Sequence, residues 1–471
     1  MSEANKCPVS LRAKNIEPYE KIVGKHVVEK LKNMSKRLKG KSWAHLNSTY
    51  LGGGVAEMLQ NQIPLLRGLG IDAQWHVLEG NQKFFEVTKK FHNALQGVSQ
   101  EFSLDDLFET YLGTIYENAK KISIEADMVT IHDPQPVAII THARIFGHIL
   151  WRCHIDTTEA DKKVWRFLHP YLNHYSGAIF TIPEFIKEDL QTPVYEIAPA
   201  IDPLHPKNKL RDRKQALNDL DSLFKKNNID PERPIIAAVS RYDIHKNQKG
   251  IIKAFKLLKK NLSTKISPLL IIMGNTASDD PEGEEMYKKM QELAGGDKDI
   301  HLLLNVKNND QVVGSLIHLA ECFVHISTKE GFGLVVTEAL WQGTPVIGSN
   351  IGGIPRQVID KENGYLVKPD DYELVAKNMK KVLEDKQLAK EMGKKGQEHV
   401  RNNYLLPHKL IKELQLMEYY LEISKRVPGF RINDVSYCEI NRKYYGRSRW
   451  PFTRKEFKSK IRKLKNAFPK T

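Results

Sequence analysis

Short apolar runs alternate with segments of helical periodicity along the first part of the chain. The apolar runs have the length and composition of strands and lie near residues 43–48, 74–78, 128–132, 149–153 and 178–182. A Gly-Gly-Gly loop and a helical pattern over 55–69 follow the first of them. Alternation of this kind is typical of a parallel sheet covered by helices on both faces. We therefore predict a doubly wound, Rossmann-like α/β domain.

A second alternation of the same kind follows a stretch rich in proline. The sequence VYEIAPAIDPLHP, residues 194–206, predicts a linker between two domains. Strand-like runs then recur near residues 235–240, 269–273, 301–304, 322–326, 345–348 and 364–367. Two doubly wound domains leave a cleft between the carboxyl ends of their sheets, and ligands of such folds bind there. The pattern thus predicts an inter-domain ligand site.

Further segments flank these two domains. A helical pattern from 408 to about 425 is expected close to the hinge between them. The predicted division of the chain is an N-terminal extension at 1–40, a first Rossmann-like domain at 41–200, a second Rossmann-like domain at 201–405, a hinge helix at 406–425 and a basic, aromatic-rich tail at 426–471.

Composition limits the class of protein. With 471 residues, the chain is too long for a single core. No stretch has the pattern of a signal peptide or a transmembrane helix, so a soluble cytoplasmic protein is expected. The four cysteines are scattered without a CxxC pair, which argues against a zinc knuckle, a redox pair or a disulfide framework.

The net charge of +15 is concentrated at one end of the chain. Residues 441–471 contain twelve Lys and Arg against the single acid Glu456, whereas the rest of the chain is close to neutral. The folded body therefore carries no strong nucleic-acid signal. Because aromatic residues interleave with the basic ones, three hypotheses stay open for the tail: contact with an anionic polymer or membrane surface, contact with another subunit in a homodimer, and a solvated basic helix.

Two basic residues, Arg241 and Lys246, occupy the loop VSRYDIHKNQKG after the first strand of the second domain. A helix is predicted to begin near Asn247, and its free amides and dipole favour anions. A guanidinium and an ammonium at that point make a diphosphate site and can neutralise charge on a departing phosphate. The alternative is a solvated surface pair.

The segment TKEGFGLVVTEALWQG, residues 328–343, holds two separated acids. Glu330 precedes Gly331 and Gly333, so the backbone there can approach a ligand closely. Glu338 is expected about two turns into the following helix. Because the acids differ in depth, we interpret them as clamps on hydroxyl groups, one on a sugar and one on a ribose, rather than as an acid-base pair. Ordinary helix capping is the alternative.

The first domain offers the other wall of the cleft. The glycines at 52–54 allow backbone amides to touch a diphosphate. His132 and Asp133, in IHDPQP, end one predicted strand, and His154 and Asp156, in WRCHID, follow the end of another. Both pairs are therefore expected at the rim of the cleft.

Together these motifs resemble the retaining GT-B glycosyltransferases that use nucleotide sugars. The segments that carry the resemblance are GGGVAE, HDPQP, WRCHID, VSRYDIHKNQKG, EGFGLVVTEALWQGTPVIG and IGGIPRQV. The run GGGVAEMLQNQIPLLRGLGIDAQWHVLEG, followed by FHNALQG, is similar to the narrower group of trehalose synthases, which transfer glucose from a nucleotide donor to free glucose. The resemblance covers roughly residues 44–420. It implies a GT-B fold and a reversible, retaining transfer that yields trehalose.

The resemblance also implies roles for individual residues. The implied donor site consists of Gly53, Gly54, Arg241, Lys246, Glu330, Gly331, Phe332, Gly333, Leu334 and Glu338. The implied acceptor side consists of Glu79, His132, Asp133, Gln135 and Asp156. The implied catalytic set consists of His154, beside the transferred sugar, with Arg241, Lys246 and Glu330. Where these enzymes carry an FDPWKG-like loop this chain has YDIHKNQKG, so Lys246 is the better match for their lysine and Lys249 the second.

Several mechanistic expectations follow from the resemblance. Since both glutamates already have binding roles, we favour same-face substitution over a carboxylate nucleophile. No metal ion or other cofactor is expected to be required, and UDP-, ADP- and GDP-glucose all stay open as donor. The alternatives are a sucrose or sucrose-phosphate synthase, a trehalose phosphorylase, a polysaccharide or lipid glycosyltransferase and, in another class, a protein that binds an anionic polymer or a membrane through its basic tail.

Overall fold

A computed structural model describes residues 11–50, 53–262, 265–275, 281–307, 309–421 and 436–438. Within this part of the chain, two mostly parallel sheets lie in succession along the sequence. Each sheet is covered by helices, and buried aliphatic and aromatic side chains fill the layers between them. This arrangement confirms the predicted fold class of two Rossmann-like α/β units.

Thirteen strands form the two sheets of the described chain. They are β1 (Ser42–Asn47), β2 (Asp72–Val77), β3 (Ser123–His132), β4 (Arg144–Arg152), β5 (Gly177–Phe180), β6 (Val194–Glu196), β7 (Ile235–Val239), β8 (Leu269–Gly274), β9 (Ile300–Leu304), β10 (Ala320–His325), β11 (Val346–Ser349), β12 (Gly364–Val367) and β13 (Ser436–Cys438). The first sheet has the order β13-β6-β5-β4-β3-β1-β2, and the second has the order β12-β11-β10-β7-β8-β9. All pairs are parallel except β13 with β6.

Fourteen α-helices of the described chain cover these sheets or join them. They are α1 (Glu20–Val23), α2 (Lys25–Arg37), α3 (Gly54–Gly68), α4 (Gln82–Leu95), α5 (Gly113–Lys121), α6 (Lys162–Leu172), α7 (Arg213–Lys226), α8 (Gln248–Asn261), α9 (Pro281–Ala294), α10 (Asn309–Leu319), α11 (Leu334–Trp341), α12 (Tyr372–Glu384), α13 (Lys386–Asn403) and α14 (Leu406–Tyr420). A π-helical segment, Asp106–Leu112, runs directly into α5. Polar residues cap several helices; Asp212, for example, forms a reciprocal capping box with Gln215 at the start of α7.

Two predictions about local structure were wrong. The predicted linker at 194–206 begins with strand β6, because backbone pairing with β5 holds Val194–Glu196 in the first sheet. Glu338 lies about one turn into α11 rather than two, because the glycine-containing loop stays irregular until Leu334. The hinge-helix pattern corresponds to α14, which ends at Tyr420.

The chain crosses between the two halves twice, and the two crossings lie side by side. Ile201 is on the first crossing, and its N–H donates to the carbonyl of Tyr404 on the second at 3.0 Å. The N–H of Leu406 donates in turn to the carbonyl of Ile201 at 2.8 Å. These bonds form a short parallel bridge between the crossings.

Helix α14 returns to the first half of the molecule after the second crossing. It packs against α2, where the Arg37 guanidinium binds the buried Glu418 carboxylate with Nη2 2.6 Å from Oε1. Tyr420 Oη donates to the carbonyl of Ser176 at 2.8 Å. Among the described helices, none is both long and apolar enough to span a bilayer. The basic tail lies outside the described residues, apart from β13 at the edge of the first sheet.

Candidate functional site

A cavity of about 560 Å³ lies between the carboxyl ends of the two sheets. Its walls come from the loops after β1, β3 and β4 on one side and from those after β7, β8 and β10 on the other. The sequence-predicted residues that line it are Gly53, Gly54, His132, Asp133, Gln135, His154, Arg241, Lys246, Glu330, Gly331, Phe332, Gly333, Leu334 and Glu338. The fold thus brings most of the predicted site together from distant parts of the chain.

Glu330 is the centre of a compact polar cluster on the second-domain wall. Lys246 Nζ donates to Glu330 Oε2 at 2.8 Å, and His325 Nε2 lies 2.7 Å from the same oxygen. Ser327 Oγ also donates to it, at 3.3 Å. Burial opposes ionisation of this carboxyl, but the Lys246 ammonium and the His325 ring hold the pKa of Glu330 well below its usual range. Glu330 is therefore a carboxylate that accepts hydrogen bonds.

The loop before α8 presents positive charge at a helix start. A short 3-10 turn, Ile244–Lys246, leads to Asn247, which adopts φ 52° and caps α8 by accepting from the Gly250 N–H. The side-chain amide of Asn247 also donates to the carbonyls of Ile326 and Pro369. This anchored cap holds the start of α8 next to Lys246, and Lys246 and the exposed Arg241 both line the cavity. Such a position suits an anionic ligand.

The glycines after Glu330 let the two halves approach each other. A Cβ on Gly331 would lie 2.3 Å from the backbone oxygen of His154, which belongs to the opposite wall. Gly333 has φ 81° and caps α11, where a side chain would be strained. The backbone of the loop at Gly331 therefore lies close to the first half, directly beside His154.

Glu338 is buried and paired with Lys207, a residue of the first crossing. Lys207 Nζ lies 3.0 Å from Glu338 Oε1 and 2.6 Å from Glu57 Oε1 of α3. Burial raises the pKa of Glu338 to about 7, against the attraction of Lys207, and the neighbouring Glu57 adds to the rise. Although burial opposes the charge of Lys207, the two carboxylates raise its pKa above the usual range. One ammonium thus joins both halves at the base of the cleft.

A row of three histidines, here called the histidine row, runs from the core of the first sheet to the cavity. His45 Nδ1 lies 3.0 Å from His132 Nε2, and His132 Nδ1 lies 3.0 Å from His154 Nε2. Consecutive ring centroids are 5.3 Å apart. Burial lowers the pKa of His45 to about 3 and holds the pKa values of His132 and His154 well below the usual range. The rings are therefore neutral at neutral pH.

Asp133 supports this row from the turn after β3. It adopts φ 63°, which is uncommon for a residue other than glycine. Its Oδ1 accepts the backbone N–H of His154 at 2.9 Å, so the turn holds His154 at the rim. Burial raises the pKa of Asp133 to about 7, although this hydrogen bond and Arg152 favour the carboxylate.

Known proteins share both halves of this architecture. Residues 45–187 match the family model described as the N-terminal domain of trehalose synthase, and residues 219–399 match that of the glycosyl transferases group 1. The trehalose synthase of Pyrococcus horikoshii is 38% identical over 419 residues, which are 88% of this chain and 97% of that protein. The chain belongs to the trehalose synthase family. It is therefore a trehalose-related hexosyltransferase.

More distant relatives agree with this membership. The trehalose synthase of Rubrobacter xylanophilus is 36% identical over 87% of this chain and 98% of its own. A trehalose phosphorylase of Grifola frondosa is 26% identical over 91% of this chain and 64% of its own. Among solved structures, the sucrose-phosphate synthase of Thermosynechococcus elongatus superposes with a TM-score of 0.64 at 18% identity, over 82% of this chain and all of that one. The likeness establishes the GT-B fold of the family in this chain.

Three predicted residues lie apart from the cavity. Glu79 follows the edge strand β2 and pairs at the surface with Lys121, so the edge position directs it away from the cleft. Asp156 is buried and accepts the N–H of Thr158 at 2.9 Å, which stabilises the turn after His154. Lys249 is exposed on α8. Of Lys246 and Lys249, Lys246 is the one that lines the cavity.

Sequence reasoning missed several lining residues of this family member. Lys207 and His325 carried no recognisable local signal. By contrast, four polar residues line the cavity from α4 and its C-cap, and the last three follow the first by three, four and seven positions: Lys89, His92, Asn93 and Gln96. A polar stripe at helical spacing is a readable signal, and it lies partly in the FHNALQG motif.

Proposed function

We propose that this protein transfers glucose from a nucleoside diphosphate glucose to free glucose, forming trehalose with retention of configuration at the donor carbon. The observation that carries the proposal is the Lys246–Glu330 pair at 2.8 Å beside an anchored helix start, with His154 on the opposite wall. It supplies a cation for a leaving phosphate next to a carboxylate for sugar hydroxyls. The trehalose synthases among the relatives support trehalose as the product.

The donor would lie along the second-domain wall. Arg241 and Lys246 would bind the diphosphate, Glu330 the glucose hydroxyls and Glu338 the ribose. An ammonium has three N–H donors, so Lys246 can keep its bond to Glu330 while a second N–H binds phosphate. The amides of Gly53 and Gly54, at the start of α3, would approach the phosphates from the first domain. Uracil, adenine and guanine all remain candidates for the base of the donor nucleotide.

The acceptor would lie on the first-domain wall, near His132, Asp133 and Gln135. The polar stripe of α4 adds donors and acceptors there, including His92 and Asn93. Hydrogen-bond donors and acceptors of this kind suit the hydroxyl groups of a free sugar.

The transfer would proceed on one face of the donor ring. The bond between the anomeric carbon and the phosphate oxygen breaks, and its electron pair stays on the diphosphate, where Arg241 and Lys246 stabilise the charge. The acceptor hydroxyl oxygen bonds to the same face of the anomeric carbon, and its proton passes to the departing phosphate oxygen. Glu330 stabilises the oxocarbenium-like transition state through hydroxyl contacts, and no covalent glycosyl-enzyme is formed.

The experiment that tests the proposal is incubation of purified protein with UDP-, ADP- or GDP-glucose and free glucose. Nucleotide release is followed, and the product is identified by its anomeric NMR signals. Formation of α,α-1,1-linked glucose is expected with at least one donor. A parallel reaction with trehalose and inorganic phosphate, without nucleotide, serves as the control for phosphorolysis.

The outcomes separate the parts of the proposal. Nucleotide release with another disaccharide would reject glucose as acceptor but keep the donor. An inverted linkage would reject retention. Glucose 1-phosphate from trehalose and phosphate, without activity on any nucleotide sugar, would reject the nucleotide dependence.

A further inference from the structure

The histidine row restricts where its protons can lie. His45 and His132 are 1% and 3% exposed, whereas His154 lines the cavity. A neutral imidazole has one N–H and one lone pair, and each contact in the row needs one of each. All three N–H groups must therefore point the same way along the row, either towards the cavity or towards the core.

In the cavity-directed arrangement every ring is protonated at Nδ1. His45 Nδ1–H donates to His132 Nε2, His132 Nδ1–H donates to His154 Nε2, and the Nδ1–H of His154 is left for a ligand. In the core-directed arrangement every ring is protonated at Nε2. The last N–H of that chain is then on His45 Nε2, and Nδ1 of His154 offers only a lone pair.

The surroundings of His45 Nε2 decide between the two. This atom is buried and has no hydrogen-bond partner among the described residues. A proton there would be an unsatisfied donor, which is costly in a buried position. The core-directed arrangement is therefore disfavoured, and the cavity-directed arrangement is the one that fits the surroundings of His45.

We propose that the histidine row fixes His154 as the Nδ1–H tautomer, so that His154 donates a hydrogen bond to a hydroxyl oxygen of the transferred sugar. His45 and His132 are then positioning residues, since they act on the sugar only through His154. The inference rests on the proposed function for the identity of that sugar. A deoxy sugar without this oxygen leaves the N–H unsatisfied, so the row also contributes to donor specificity.

The direct test is the tautomer of His154 in the ligand-free protein. Protein labelled with ¹⁵N-histidine is studied by long-range ¹H–¹⁵N correlation, and the His154 signals are identified by their loss in His154→Gln. Protonated Nδ1 and unprotonated Nε2 are expected. A protonated Nε2 on His154 would overturn the inference. Because this measurement needs no turnover, it stays valid even if no disaccharide is formed and the proposed function fails.

A pair of variants tests the positioning role. His45→Phe removes the donor to His132, so the His154 signals are expected to become a mixture of tautomers and kcat/KM for the donor to fall about 10-fold. His45→Gln can still donate from its amide, so it is expected to retain most of the native His154 tautomer and most of the native kcat/KM. His142→Phe, outside the row, is the matched control. Equal losses of kcat/KM in both His45 variants, with unchanged His154 signals, would show that His45 has only a structural role. If His45→Phe does not fold, the His154 signals of His45→Gln and of the native protein provide the test.

Discussion

Lys207 Nζ lies 3.0 Å from Glu338 Oε1, and the same ammonium reaches Glu57 in the other half of the molecule. Replacing Lys207 with methionine leaves Glu57 and Glu338 without their counter-charge. Breaking a buried pair in this way costs about 3 kcal/mol of unfolding free energy when the acids are ionised.

We therefore expect Lys207→Met to be strongly destabilised at pH 8 and much less at pH 5. The pKa of Glu338 is about 7, so its carboxyl is largely neutral at pH 5 and needs no counter-charge. Chemical denaturation at the two pH values measures the difference. Lys225→Met removes an exposed pair with Asp221 and should change little at either pH. An equal loss at both pH values would argue against the pH-dependent pairing.

Lys246→Ala is expected to lower kcat by about 100-fold, because it removes a preorganised cation from the leaving phosphate and from Glu330. Steady-state kinetics with the active donor measures the effect. Lys249→Ala is the control, since Lys249 is exposed and does not line the cavity; its kcat should stay within about twofold. A folded Lys246→Ala protein with normal turnover would disprove the assignment.

Asp133→Asn is expected to change how stability depends on pH. The pKa of Asp133 rises from 3.8 to about 7 on folding, so its proton stabilises the folded state at low pH and this contribution is lost as the pH rises through 7. Asparagine does not titrate and tolerates the positive φ. The unfolding free energy of the variant should therefore rise by roughly 4 kcal/mol relative to that of the native protein between pH 4 and pH 8.

Denaturation curves of both proteins across this range give the comparison for Asp133→Asn. Asp221→Asn, at an exposed site, should show little relative change. A difference between the Asp133→Asn and native proteins that stays constant with pH would show that Asp133 titrates normally.

Gly331→Ala is expected to lower kcat/KM by about 100-fold, since the new methyl would lie 2.3 Å from the His154 carbonyl oxygen and displace one wall. Displacements near 1 Å have effects of this size. Gly113→Ala adds the same methyl where its nearest neighbour is 3.8 Å away, and it should be close to native. Near-native kinetics of Gly331→Ala would mean that the walls are not held at this contact.

Activity is expected to persist within about twofold in the presence of EDTA, because Arg241 and Lys246 supply positive charge at the diphosphate. Turnover before and after dialysis against the chelator measures this. Complete loss of turnover that Mg²⁺ restores would disprove the metal-independent mechanism.

Much of the fold could be predicted because parallel strands buried on both faces appear as continuous apolar runs. The strand LLIIMG of β8 is buried along its whole length, and its predicted limits differ by one residue from those observed. β6 was missed because its three residues stand among prolines and are held by pairing to β5.

The site was predictable where its residues follow strands or glycines and unpredictable where distant segments meet. Glu330 and Lys246 carry local signals in their loops. Lys207 does not, because its partners are 150 positions before it in α3 and 131 positions after it in α11. His45 shows a faint signal, a polar residue within a buried strand, but its role depends on the register that places it beside β3.

The paired crossings at Ile201 and Leu405 limit how the two halves can move. A single connecting segment would allow one half to twist and slide over the other. Two segments bonded to each other form a flat strap, which bends readily about one axis and resists torsion. Opening and closing of the cleft is therefore the motion that this connection permits most easily. A protease that cuts either crossing alone would leave the halves covalently joined.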